Sequence, residues 1–200
     1  MATVAACEDG RVPPELTDLT WPRRTPRLSV RPARAEDAVE LWSWYRLPEV
    51  TQWLSEHFPD EARFVDFYAG RFAHYLVAEL DGRLVANAKL EITDCWTQAE
   101  APVGARQAEI GWALDPAVQG RGLGTELARE LLAISFDGLG LHRVTAICFA
   151  ENTASMRIME KIGMRLEARF VADSLHRSEG WLDSLSYGLL ASEWRAGRTA

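Results

Sequence analysis

The stretch Gln119-Gly120-Arg121-Gly122-Leu123-Gly124-Thr125 does most to limit what this chain can fold into. It stands between an apolar run with strand character, residues 108–114, and a segment with Leu123, Leu127, Leu131 and Ile134 at helical spacing. Three glycines alternating with other residues permit tight turns and leave amide hydrogens unshielded by side chains. A helix opening directly behind them adds a positive dipole end of roughly half an elementary charge and its first unpaired N–H groups. On these seven residues alone the loop is either an anion cradle suited to a phosphate or an ordinary glycine-rich turn. Two familiar nucleotide loops fit poorly. A Walker loop needs Lys and then Ser or Thr after its last glycine, where Thr125-Glu126 stand, and the dinucleotide fingerprint needs glycine at position 127, which is Leu127.

With 200 residues the chain suffices for one domain with a full core and is short for two. We expect residues 1–24, with Pro13-Pro14 and Pro22, to form an arm or tail that Trp21 pins to the body, and residues 25–200 to form the domain. No apolar run approaches the roughly 18 residues that span a bilayer, so no membrane partner is expected. The opening lacks a basic segment before its apolar residues, which predicts a cytoplasmic protein. Cys7, Cys95 and Cys148 lie far apart, and neither they nor the four histidines show metal-ligand spacing, so reduced thiols and no metal are expected. A formal net charge of −7 argues against a nucleic-acid partner and favours a cationic one.

The periodicities order the rest. A strand is predicted at residues 28–31, then a helix with Leu41, Trp42 and Tyr45 on one face, ended by Pro48. An aromatic segment with Trp53, His57 and Phe58 precedes a second helix with Phe64, Phe67, Tyr68 and Phe72; this set either packs a core or walls a pocket. Residues 75–80 and 84–92 form a hairpin about Asp81-Gly82. On the strand at 108–114, Ile110, Trp112 and Leu114 face one side, while Glu109, Gly111 and Ala113 face the other, where small residues leave a gap beside a carboxylate. A β-branched strand at 143–149 leads to a helix capped by Asn152 and closed by Gly163. Two strands, 165–171 and 181–190, flank a polar loop with Asp173, His176, Arg177 and Glu179. The sum is an α/β domain whose mixed central sheet has about six to seven strands flanked by about four helices.

The glycine loop, the preceding Glu109-Ile-Gly-Trp112 strand and the helix Asn152-Thr-Ala-Ser155 through Glu160-Lys-Ile-Gly163-Met164 together resemble the GNAT N-acetyltransferase superfamily, over about residues 27–194. Thr25-x-Arg27-Leu28, Asn152-x-x-Ser155 and Asp183, Tyr187 and Glu193-Trp194 are similar to the branch containing ribosomal-protein N-terminal acetyltransferases, a branch that also holds enzymes for small amines. The resemblance implies the GNAT fold, acetyl-CoA as co-substrate, and transfer of the acetyl group to a primary amine, a protein N-terminus or a small amine, by direct attack in a ternary complex. It implies that Gln119 begins the loop and that the backbone N–H groups of Gly120, Arg121, Gly122, Gly124 and Thr125 bind the CoA pyrophosphate. Trp112, Ala113 and Leu114 would pair with the pantetheine arm and polarise the thioester carbonyl. Asn152 would contact the pantetheine, act as a simple N-cap, or both, and Ser155 would lie near the thiol or be a solvated first-turn serine.

Amine acetylation needs the amine stripped of its proton and the departing thiolate, of parent pKa near 8.5, reprotonated. Glu109 is the candidate base, directly or through water; its alternative is an ion pair with a neighbouring Arg or Lys. Many relatives carry a tyrosine acid seven residues after the Asn, where this chain has Met159, which leaves Ser155 as the expected proton donor. Ala86 and Met164 are smaller departures. The acceptor is expected between residues 45–60 and 173–180, where Glu56, Asp173 and Glu179 either attract an ammonium or are plain surface charge. A homodimer is among the expected partners. Alternatives are a non-catalytic acyl-CoA-binding module and transfer from another donor such as succinyl-CoA.

Overall fold

The computed structural model describes residues 15–98 and 106–197, so Cys7, Pro13, Pro14, Pro102 and Gly104 lie outside the described residues. The strands and α-helices of the described residues start with β1 (Arg23–Arg24) and β2 (Ser29–Pro32), then α1 (Asp37–Tyr45), α2 (Pro48–Thr51) and α3 (Glu61–Ala69). The hairpin of β3 (Tyr75–Leu80) and β4 (Arg83–Asp94) follows, and β5 (Arg106–Leu114) leads through the glycine loop into α4 (Leu123–Ala133). β6 (Arg143–Phe149), α5 (Thr153–Lys161), β7 (Arg165–His176), β8 (Gly180–Leu190) and α6 (Ala191–Gly197) complete the order. The strands make one sheet in the order β1-β2-β3-β4-β5-β6-β8-β7, antiparallel everywhere except between β5 and β6. No described helix is long and apolar enough to cross a membrane.

Local chemistry explains the punctuation. Asp81 and Gly82 have φ of 53° and 80°, the pair of positive values that a two-residue hairpin turn of matching twist demands. The end of α5 is a Schellman motif: Gly163, at φ 88°, donates its N–H to Glu160 O at 3.1 Å, and Met164 N reaches Met159 O at 3.0 Å. The sheet is packed on both faces. Leu41, Trp44, Phe64 and Tyr68 of α1 and α3 bury against Val77 and Leu84, which settles most of the aromatic segment as core. On the other face Leu123, Leu127 and Leu131 of α4 and Met159 of α5 close over Ile110 and Val144.

The architecture is the expected mixed sheet, with counts among the described residues slightly above expectation: eight strands and six α-helices. The added strand is the two-residue β1, which joins Arg23 and Arg24 to Val30 and Ser29. Around it Leu16, Leu19 and Trp21 pack on the core, and Arg23 pairs with Glu130 of α4. The added helices are α2 and α6. Pro48 opens α2 at its first position, where a missing N–H costs nothing, and α1 has already ended at Tyr45. The polar loop after residue 171 is strand instead. β7 runs on through Asp173 to His176, and only residues 177–179 connect it to β8.

Candidate functional site

Two cavities meet where β5 and β6 part. The parallel pair is joined only from Gln107–Arg143 to Glu109–Thr145, although β5 stays paired with β4 through Leu114 and β6 with β8 through Phe149. Beyond Glu109 the two strands diverge, and a cleft of about 520 Å³ opens between them under the glycine loop and α5.

The predicted loop residues Gln119, Gly120, Gly122, Gly124 and Thr125 line this cleft, as do Trp112, Ala113 and Leu114 of β5. Gly120 and Gly122 hold φ of 72° and 80°, values at which any Cβ is strained. Gly122 is also the residue preceding α4 and brings no side-chain oxygen to cap it, so the first-turn N–H groups keep no competing partner there. Gly124 serves closeness: a Cβ would stand 2.9 Å from Ile158 Cδ1 and 3.6 Å from Leu114 Cδ2. Gln119 Nε2 donates to Leu114 O at 3.2 Å, tying the loop to the strand end. Arg121 is exposed and off the cleft wall; its carbonyl accepts Arg27 Nη1 at 2.8 Å.

That contact belongs to a brace that residue-by-residue reading left unexplained. Glu126, in the first turn of α4, accepts from Thr25 Oγ1 at 2.6 Å, Arg27 N at 2.8 Å and Arg27 Nε at 2.7 Å. Burial pushes this carboxyl up, but the bonds from Thr25 and Arg27 and the guanidinium charge outweigh it and hold its pKa below the usual range. A lowered folded-state pKa stabilises above the unfolded value and fades as pH falls through the folded one. Glu126→Gln is therefore expected to cost about 1–2 kcal/mol at neutral pH. In paired urea titrations the deficit should hold down to the ordinary carboxylate pKa of about 4.3 and close in more acid solution; a deficit constant with pH would refute it.

Asn152 caps α5, its Oδ1 accepting Ser155 N at 3.1 Å, so the capping reading holds. Asn152 and Ser155 both line the cleft. So do Arg157 and Lys161, one helical turn apart, which the sequence reading passed over; their i, i+4 spacing behind the cap was the available signal. Met159 is fully buried, so that position faces the core. Cys148 also lines the cleft, but burial pushes its thiol up to about 11, against a nucleophilic thiolate.

The second cavity, about 350 Å³, shares Trp53, Leu54, Ile147 of β6 and residues 110–113 of β5 with the first. Glu109 lies here, apart from Ser155. It takes the ion pair foreseen as its alternative: Lys89 Nζ stands 2.8 Å from Glu109 Oε1 and 2.7 Å from Glu91 Oε2. The sheet register makes this triad, because Glu91 lies directly opposite Glu109 and Lys89 opposite Gly111. Burial lowers the Lys89 ammonium, yet its bonds to Glu109 and Glu91 prevail and raise its pKa, while Lys89 holds Glu91 below the usual carboxylate range. Burial also pushes up the phenols of Tyr45 and Tyr75, which line the same cavity and stay neutral. Of the three acidic residues expected near the acceptor, Glu56 lines the cavity, whereas Asp173 and Glu179 do not; Asp173 accepts Ser184 Oγ at 2.9 Å.

A splayed parallel pair, a glycine loop opening a helix and a second, carboxylate-bearing cavity thus adjoin one another along β5. A family model described as an acetyltransferase (GNAT) domain matches residues 27–165. The uncharacterized N-acetyltransferase YnaD of Bacillus subtilis is 40% identical over 86 residues, 43% of this chain and 50% of that protein; the chain spans about half the length of such relatives. A GNAT-family acetyltransferase from Bacillus anthracis superposes with a TM-score of 0.72 at 28% identity, covering 85% of this chain and 98% of the other. RimL, a ribosomal L7/L12 alpha-N-protein acetyltransferase solved with coenzyme A, shares the fold at a TM-score of 0.71 and 14% identity, over 84% of this chain and 97% of its own.

Proposed function

The chain belongs to the GNAT acetyltransferase family, and we propose that it transfers an acetyl group from acetyl-CoA to a primary amine, a protein N-terminus or a small amine, by direct attack in a ternary complex. The observation that supports this reading is the wedge between β5 and β6, beside two adjoining cavities that share residues 110–113 of β5 and Ile147 of β6.

The donor fits the larger cleft. Backbone N–H groups at Gly120, Arg121, Gly122, Gly124 and Thr125, with the N-terminus of α4 behind them, receive the pyrophosphate. Beyond Glu109 the β5 backbone has no β6 partner, so the pantetheine arm can lie along it as a short strand, with Asn152 as a further contact. Amides of residues 112–114 then polarise the thioester carbonyl without reorganising as charge develops. Acetyl-CoA supplies the activated acyl group.

The amine enters the smaller cavity. Glu109, on the shared strand, takes its proton through water or a carboxylate lone pair that Lys89 leaves open. Ser155, across the wedge in the first turn of α5, relays to the CoA thiolate the proton that the acylated nitrogen sheds as the amide forms, its own hydroxyl being restored in the same step; Met159 cannot serve from the core. No enzyme thiolate is needed, in keeping with the raised Cys148. The same proposal keeps the enzyme in the cytoplasm and includes a homodimer, on the exposed cross-strand pair Leu175 and Trp181.

The test is acetyl-CoA consumption against peptide N-termini, polyamines and aminoglycosides, with mass spectrometry of the products. Transfer to one class is the expected result. Tight CoA binding without turnover on any amine would replace the enzyme with an acyl-CoA-binding module, and turnover only with succinyl-CoA would change the donor.

A further inference from the structure

Residues 52–56 make the wall common to the two cavities: Trp53 and Leu54 line both, Gln52 lines the larger one, and Ser55 and Glu56 line the smaller one. This wall lies beyond α2, which ends at Thr51, and ahead of α3, which starts at Glu61. The turn joining β7 to β8 grips it. Arg177 Nη1 donates to Thr51 O at 2.8 Å, and its Nη2 donates to Leu54 O at 3.1 Å and Glu56 O at 3.3 Å. His176 is buried, with Nδ1 facing the backbone N–H groups of Glu179 at 3.2 Å and Ser178 at 3.4 Å. Nδ1 is thus the acceptor and the ring proton sits on Nε2, which donates to Gln52 O at 2.7 Å. The Trp53 ring packs against His176 and Phe149, with centroids 5.5 Å and 6.0 Å away.

We propose that Arg177 and His176 are positioning residues for the amine acceptor: by holding four main-chain carbonyls of residues 51–56 they set the distance between the Trp53–Glu56 wall and the Glu109 side of the cavity, and so the acceptor's affinity. The inference rests on the amine-acetylation reading above. Every bond of the grip is made to a carbonyl, so it fixes where the wall stands without specifying its side chains. Residues 54–56 can differ in chemistry, and with it in acceptor choice, while the wall keeps its place.

Arg177→Ala removes three charge-assisted bonds and is expected to raise the acceptor KM about tenfold or more. The kcat at saturating acceptor should stay within about threefold, and the calorimetric Kd for CoA, whose cleft meets the wall only at residues 52–54, should change less than the acceptor KM, a split that general destabilisation would not produce. Arg177→Lys, which keeps a cation but cannot span three carbonyls, should fall between. Hydrogen exchange gives a readout free of turnover: amides of residues 51–57 should exchange about tenfold faster in Arg177→Ala, with the core strands unchanged. A folded Arg177→Ala protein with unaltered acceptor KM and unaltered exchange at 51–57 overturns the proposal. If the wild type acetylates no amine, the functional reading fails instead; exchange then decides the grip alone, and slow exchange in the variant overturns it.

Discussion

Gly122→Val is expected to weaken CoA binding on the order of 100-fold while leaving the protein folded. At φ 80° a β-branched residue is strained by about 1–2 kcal/mol, and the cheapest escape is to rotate the peptide out of the left-handed region. That rotation turns the amides just ahead of α4 away from the cleft. Each bond lost to a charged phosphate is worth about 1.5–3 kcal/mol, so one or two account for the loss. The new side chain would also start 3.6 Å from Arg27 Nη2, in the brace that holds the loop. Gly70→Ala is the control, because Gly70 follows α3 at φ −82° and its Cβ would meet only ordinary contacts. Calorimetric titration with CoA reads the effect; an unchanged Kd in Gly122→Val would remove the loop from pyrophosphate binding.

Glu109→Gln is expected to lower kcat/KM for the amine about 100-fold near neutral pH, the lower range for loss of a general base. The deficit has a direction with pH. A peptide α-amine loses its own proton near pH 7.7–8.0, so the variant should recover toward the wild type as pH rises past about 8. Lys89 keeps its partner Glu91 in the variant, and the ammonium stays anchored at the cavity wall. Full rate across about pH 6 to 9 would sink the assignment. Glu91, directly opposite on β4, is then the carboxylate to replace next.

What could be read before folding was what neighbours in sequence decide. The Asp81-Gly82 turn, the Asn152 cap, the Gly163 stop and the two faces of β5 each follow from a few consecutive residues. Pro48 was misread because the same ring that ends a helix also starts one. The far part of β7 was hidden by its irregular register: pairing with β8 shifts between Leu166 and Ala168 and again between Phe170 and Ser174, and Ala172 sits at φ 47°. Those shifts break period two, and polar side chains on an exposed strand look like a loop. In the site, the donor cleft was legible because its loop is contiguous. The partners of Glu109, the Glu126 brace and the grip on residues 51–56 join positions 20, 99 and more than 120 residues apart, so only the sheet register, the packing of α4 and the seating of the β7–β8 turn bring them together.

The diverging pair β5 and β6 also bears on how this protein avoids sticking to itself. A bare strand edge invites another chain to pair with it, and outer edges need protection. At the rim of the sheet β7 has it: Arg165, Glu167, Arg169 and Asp173 put charge along the strand, and the register shifts spoil its regularity. The bare part of β5 is apolar and regular, yet it lies at the bottom of a cleft between β6, the glycine loop and α5. A sheet from another molecule is too broad to reach it, whereas a single thin chain is not. Recessing the edge lets it remain open for recognition without the aggregation hazard that the same residues would create at the rim.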